Sequence, residues 1–274
     1  MLKNKLYIYS IILVLCACNS IDENERFLDY EPPTSDRNIL LEEFTGQECQ
    51  NCPEGAAEAK RLQESYNHKV IVVGIHAGIF SSGSKFRTEA GNAYWNKFYS
   101  DGDSRGYPAA TINRSGKVST GFQQEWSSMV SNAFQMPTYI SLSMKTDYNA
   151  VDSILSVTSI LRKSTAQMEN ETKLLLLLTE GKIIDYQKSG KVYIEDYEHN
   201  HVLRGAIGDK DEVPNYWGEE VEISSLEDTE IVSKPYKLDK SWKPENMNVV
   251  GLVYDANTNE VLQVEEASVI ENNN

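Results

Sequence analysis

Cys49 and Cys52, separated by Gln50 and Asn51, constrain this 274-residue chain more than any other feature. Residues 38–45 before them (NILLEEFT) are apolar, bounded by polar residues, and read as a strand. Gly46, Gln47 and Glu48 make a turn, and residues 49–63 read as a helix. Pro53 suits a first helical turn, where its missing N–H costs nothing, and the alanine-rich body has good helix propensity. Residues 69–76 (KVIVVGIH) form a β-branched run, the pattern of a strand buried on both faces of a parallel sheet. The spacing predicts a β-α-β unit with the pair at the strand-to-helix turn. A helix N-terminus presents unpaired N–H groups and about half a positive charge, and both stabilise a thiolate. Cys49, expected to be the more exposed sulfur, is the candidate nucleophile, and Cys52 the resolving thiol.

Two nearby features fit thiol chemistry. Glu43 lies six residues before Cys49, near the end of the first strand, where a buried carboxylate could take the proton of Cys52. The competing reading is an exposed strand-edge acid, since Glu42 beside it must face the other way. Residues 106–113 (GYPAATIN) read as a turn, a proline and a short strand. A cis Tyr107–Pro108 bond is accessible there, because an X-Pro bond prefers trans by only ~0.5–1 kcal/mol. Tyr107 and Pro108 would then offer backbone to an extended substrate.

The N-terminus has the three parts of an export signal. Lys3 and Lys5 are followed by an apolar stretch to Cys16 and then by Leu15-Cys16-Ala17-Cys18. The apolar core is about half the ~20 residues that a membrane-spanning helix needs. Its Leu-x-Ala-Cys ending resembles the bacterial lipobox, which implies that residues 1–17 are removed and that Cys18 carries acyl chains. Residues 18–36 are acidic and proline-bearing and read as a flexible tether. Their early acidic cluster also resembles the surface-export signals of Bacteroides-group lipoproteins. Membrane contact is therefore expected through the lipid on Cys18, on either the periplasmic or the outer side.

Charge and cysteine usage narrow the chemistry. Without the signal, 24 basic residues face 41 acidic ones, about −17. Such a balance repels nucleic acid, so no nucleic-acid partner is expected. With Cys16 removed and Cys18 acylated, only Cys49 and Cys52 remain in an oxidising compartment. A loop of two residues is too short to staple a fold, so the pair points to chemistry. Zinc needs about four ligands, and only His68, His76, His199 and His201 could add to the pair. No metal and no cofactor are expected.

A strand, C-x-x-C at a helix start, a β-α-β unit and a later Tyr-Pro together resemble the thioredoxin superfamily over residues 36–135. Glu43 stands where thioredoxins carry a buried Asp, and the resemblance implies nucleophilic Cys49 facing a cis-proline loop. The chain departs from the superfamily in its Gln50-Asn51 dipeptide, in the absence of an aromatic before Cys49, and in a long insertion at 77–105 with a helix over 89–99.

Beyond Pro137 the pattern changes to short alternating runs: 138–146, 153–161, 173–179 with five consecutive leucines, 191–194, 221–223, 249–254 and 261–264. These predict an antiparallel β-sandwich. The expected architecture is therefore an α/β thioredoxin-like domain over residues 37–136, followed by an all-β antiparallel sandwich domain over 137–270. His199 and His201 would share a face of an extended segment, where paired metal ligation competes with a simple turn-ordering role. The 197–205 segment, Thr45-Gly46, Cys49-x-x-Cys52-Pro53 and the closing Val253-Tyr254-Asp255 resemble the Omp28-related outer-membrane lipoproteins. That resemblance implies outer-membrane attachment and supplies no biochemical activity.

Two functions fit. One is thiol–disulfide exchange with envelope or surface proteins, with Cys49 attacking, Cys52 resolving, Glu43 managing the proton and Pro108 docking the substrate. The other is a binding or assembly lipoprotein with a passive disulfide. The intact pair with its carboxylate and proline favours the first, and the large second half, with no catalytic set of its own, favours the second.

Overall fold

Five consecutive leucines, Leu174 to Leu178, sit in the strand that organises the molecule. Leu175 and Leu177 enter one apolar core, and Leu174, Leu176 and Leu178 enter another. A strand that is apolar on both faces must be covered on both, and this one joins the two halves of the chain. The computed structural model describes residues 37–99, 106–164, 171–225 and 227–270. The signal segment, the tether and the expected lipidation residue Cys18 lie outside the described residues.

In chain order the elements are β1 (Ile39–Thr45), α1 (Cys52–Ser65), β2 (Val70–His76), α2 (Glu89–Phe98), β3 (Ala109–Ile112), β4 (Ser115–Ser119) and α3 (Glu125–Phe134). The second half contributes β5 (Ile140–Asn149), β6 (Ile154–Lys163), β7 (Thr172–Glu180), β8 (Ile183–Ser189), β9 (Val192–His199), β10 (Val202–Ala206), β11 (Glu219–Val221), β12 (Thr229–Val232), β13 (Tyr236–Lys237), β14 (Met247–Asp255) and β15 (Val261–Ser268). The predicted β-α-β unit is present, with β1 and β2 parallel and in register from Ile39–Val70 to Thr45–His76. The helix expected in the insertion is α2, and the Thr88 hydroxyl caps it by accepting from Gly91 N–H at 2.9 Å.

The expected fold class is overturned. A single nine-stranded sheet runs β15-β14-β7-β10-β2-β1-β3-β4, with β11 also paired to β7. The link is β10, which pairs parallel to β2 at Val202–Gly74 and antiparallel to β7. The Gly74 N–H donates to the His201 carbonyl at 2.7 Å just before that strand. Edge strand β15 returns to the start of the chain: Asn38 Nδ2 donates to Val264 O at 3.1 Å, and Val261 N–H donates to Asn113 O at 2.8 Å. The chain is thus not a thioredoxin-like α/β domain followed by a separate all-β antiparallel sandwich, and the described residues form one compact unit. The physical reason is β7. The wet outer face of a sandwich sheet would expose half of its leucines, and burying each one fully stabilises by about 1.5–3 kcal/mol.

Packing follows from side-chain alternation along the strands. Ile39 and Leu41 of β1 face a core shared with α1 and α3, including Leu62, Trp126 and Phe134. Leu40 and Phe44 face the other side, where Tyr94 of α2 meets Leu175, Leu177 and Leu203. The smaller sheet, with β6 flanked by β5, β12 and β13, lays Leu142, Leu155 and Val157 on the outer leucines of β7 and on β14. A two-stranded hairpin, β8–β9, stands apart from both sheets. No helix among the described residues is long and apolar enough to cross a membrane.

Candidate functional site

β1 ends at Thr45, and Gly46 begins the turn into the cysteine pair. A side chain at Gly46 would collide with the Phe80 carbonyl and the Ser81 hydroxyl, so glycine is required for this close approach. Cys49 N–H donates to Gly46 O at 3.0 Å, and α1 starts at Cys52 with Pro53 in its first turn. Cys49 and Cys52 form a disulfide with Cα atoms 5.4 Å apart.

The expected exposure of Cys49 is not found: both cysteines are only 2 % exposed. The β8–β9 hairpin covers the turn, and the sequence pattern had shown only a fragment of it at 191–194. Gln187 Nε2 donates to the carbonyls of Gly46 (3.2 Å) and Cys49 (3.1 Å). Lys188 N–H donates to Gln47 O at 2.8 Å, and Gly190 N–H to Gln50 O at 2.9 Å. The hydroxyls of Tyr186 and Tyr193 both donate to the Glu48 carboxylate, at 3.1 and 2.8 Å. Lys85 fixes the hairpin base through an ion pair with Asp185 at 2.7 Å.

Glu43 and Pro108 meet on the helix that Cys52 begins. Glu43 is buried, and its Oε1 has no hydrogen-bond partner among the described residues. Burial raises its carboxyl to about 8, so it is protonated at neutral pH. The Tyr107–Pro108 bond is cis, as the sequence allowed. Gly55, one turn beyond Cys52, makes the meeting possible: a Cβ there would lie 2.6 Å from Pro108 Cβ and 3.0 Å from Glu43 Oε1. The sequence analysis missed Gly55, although a lone glycine inside an alanine-rich helix was the available signal. Tyr107 is committed to packing, its hydroxyl donating to Ala77 O at 3.0 Å and its ring meeting Phe80 at 5.3 Å.

A cleft of about 660 Å³ opens between α1 and β9, lined by Glu43, Cys52, His76, Gln187, Tyr197 and His199 among others. His76 ends β2 and is buried; desolvation, with His199 nearby, pushes it down to about 3, and its Nδ1 has no partner among the described residues. Burial also lowers His199, whose Nε2 lies 3.2 Å from Tyr186 O. His201 also lines the cleft and falls to about 4 through burial and His68. His199 ends β9 and His201 sits at φ 56° just before β10, so the two are not partners on one extended segment. Among the described residues no group of three or more His, Cys, Asp and Glu could hold a metal ion.

Residues 95–273 match the family described as outer membrane protein Omp28. The chain belongs to the Omp28 family. It is therefore an outer-membrane protein, as the short motifs had implied. None of the curated proteins matches the chain. Among solved structures, HBP35 of Porphyromonas gingivalis superposes with a TM-score of 0.69 at 15 % identity, over 86 % of this chain and 76 % of that one. A protein of Agrobacterium tumefaciens gives 0.51 at 11 % identity, over 85 % and 95 %. A domain of the outer membrane lipoprotein Omp28 of Porphyromonas gingivalis is 22 % identical over 48 % of this chain and 88 % of that one, with a TM-score of 0.35. The Omp28 match includes Tyr107 and Pro108 but begins after Glu43, Cys49 and Cys52, so the disulfide belongs to the part of the chain outside it.

Proposed function

We propose that this Omp28-family protein is held at the outer membrane by acyl chains on Cys18 and exchanges thiols and disulfides with envelope or surface proteins through Cys49 and Cys52. Cys49 attacks the client disulfide once the hairpin is displaced. Cys52 then attacks the mixed disulfide after the ionised form of Glu43, a minority at neutral pH, has taken the proton of that thiol. Pro108, packed on Gly55, holds the loop that an extended client would meet.

The observation that carries this reading is Glu43. A buried carboxyl whose Oε1 lacks a partner costs on the order of 1–3 kcal/mol. A disulfide serving only as a clip gains nothing from a protonatable group in the cleft it lines. A carboxyl raised to about 8 is poised to receive and return a thiol proton near neutral pH.

The test is equilibration of the folded protein in glutathione buffers of graded potential, with free thiols counted after alkylation. Reversible opening, and insulin reduction lost in Cys49→Ser, are expected. A pair that opens only after the chain is unfolded refutes exchange. Incorporation of an alkyne-tagged fatty acid that disappears in Cys18→Ala checks the anchor separately.

A further inference from the structure

The two sulfurs are covered by different neighbours. Cys49 lies beneath the hairpin, its carbonyl held by Gln187 and the adjoining turn held by Lys188 and Gly190. Cys52 lines the cleft between α1 and β9, whose rim residues Ala57 and Lys60 are exposed. Glu43 Oε1 and His76 Nδ1 belong to residues lining the same cleft, and both atoms are buried with no partner among the described residues. Two unpartnered polar atoms, one a neutral carboxyl oxygen and one an imidazole nitrogen, suit a small polar molecule. The cleft volume of about 660 Å³ lies within the roughly 300–1,000 Å³ usual for small-molecule sites and is too small for a folded protein.

We propose that this cleft admits a low-molecular-weight thiol to Sγ of Cys52, by a route that the hairpin leaves open. The inference rests on the reading that the pair exchanges, and it names a second substrate class and a second point of entry. The small thiol loses its proton to solvent, and its thiolate attacks Sγ of Cys52. The Cys49–Cys52 bond breaks, and its electron pair leaves on Sγ of Cys49, which is protonated from solvent. A second small thiol attacks the mixed disulfide and releases the small symmetric disulfide. The Cys52 thiolate left behind takes a proton from Glu43, which regains one from solvent. Two small thiols are oxidised and one protein disulfide is reduced. Cys49 remains the sulfur for protein clients, reached only when the hairpin lifts.

The experiment treats the intact oxidised protein with 2-mercaptoethanol and, separately, with a reduced unfolded protein as thiol donor. Single-cysteine variants Cys49→Ser and Cys52→Ser are also reacted with hydroxyethyl disulfide, which probes the same attack in reverse. Capture by Cys52 in the first variant should exceed capture by Cys49 in the second by on the order of tenfold, because access and thiolate character set the rate. Ala57→Trp, which fills the mouth, should slow opening by 2-mercaptoethanol by about the same factor. Faster capture at Cys49, or a mercaptoethanol rate indifferent to Ala57→Trp in a variant with wild-type near-ultraviolet dichroism, overturns the cleft route. A disulfide opened by the protein thiol but not by 2-mercaptoethanol overturns it as well and leaves exchange with proteins standing. A disulfide opened by neither, while the chain is folded, removes both.

Discussion

Glu42 and Glu43 are neighbours on β1, both buried, on opposite faces of the same sheet, and the fold treats them in opposite ways. Glu42 has both oxygens held: Arg114 Nη2 donates at 2.6 Å, Arg114 Nε at 2.9 Å and the Thr111 hydroxyl at 3.1 Å. The guanidinium in turn lies over the rings of Tyr94 and Phe98, at 5.1 and 5.0 Å. Glu43 faces a glycine, a proline ring and a cleft, with Oε1 unpartnered among the described residues. A bidentate ion pair sealed from water is a structural solution to burying charge. A carboxyl kept neutral beside a cleft that Cys52 lines is the arrangement the proposed exchange would use. Burial alone therefore does not distinguish the two acids; their partners do.

The largest effect should come from breaking the paired face. Arg114→Ala leaves Glu42 buried and uncompensated and should lower unfolding stability by about 3–5 kcal/mol in urea titrations. Glu43→Ala should cost far less, and equal losses would erase the contrast between the two acids. Next, Gly55→Ala drives a methyl into the Pro108 ring and toward Glu43, and the clash should outweigh the gain of ~1 kcal/mol in helix propensity. A net loss of about 1–2 kcal/mol is expected by thermal melting, and a neutral result would mean the Pro108 loop is not pinned to α1.

A third comparison is the pH profile. In the unfolded chain Glu43 ionises near its ordinary 4.5, and in the fold only near 8. Its contribution is intact below about 4.5 and is eroded as pH rises to about 8, because proton loss favours the unfolded chain. Glu43→Gln should flatten that alkaline slope. It should leave the acid slope unchanged, since His76 and His201, lowered to about 3 and 4, favour the unfolded chain as pH falls below 6.5. Urea midpoints at pH 5 and 8 for the two proteins check this, and parallel profiles would show that Glu43 is not the titrating group.

Much of the site was legible because it is local. The run 69–76, the Ala-rich helix and Pro53 specify β2 and α1 with little help from distant residues, and Tyr107-Pro108 marks a turn whose bond the sequence allowed to be cis. The hairpin was not legible. β8 reads IIDYQKS, with no clean alternation, and it is held by backbone and tyrosine contacts to residues about 140 positions away. Nor was the Glu42–Arg114 pair, since Arg114 takes its place only once β3 and β4 pair beside β1.

The sequence by itself placed the two strands of the β-α-β unit, put the helix start three residues early at Cys49 where α1 begins at Cys52, and showed which two cysteines are close enough to bond and that Glu43 lies near them. Those are consequences of periodicity, propensity and short chain separation. Only the tertiary structure decided that β10 seats itself between β2 and β7, that the two halves share one sheet, and that a hairpin closes over Cys49 while Cys52 keeps a cleft. Strand pairing between distant segments is chosen by which faces remain to be buried. The leucines of β7 needed cover on both sides, and the first half of the chain contributes to one of the two cores they enter.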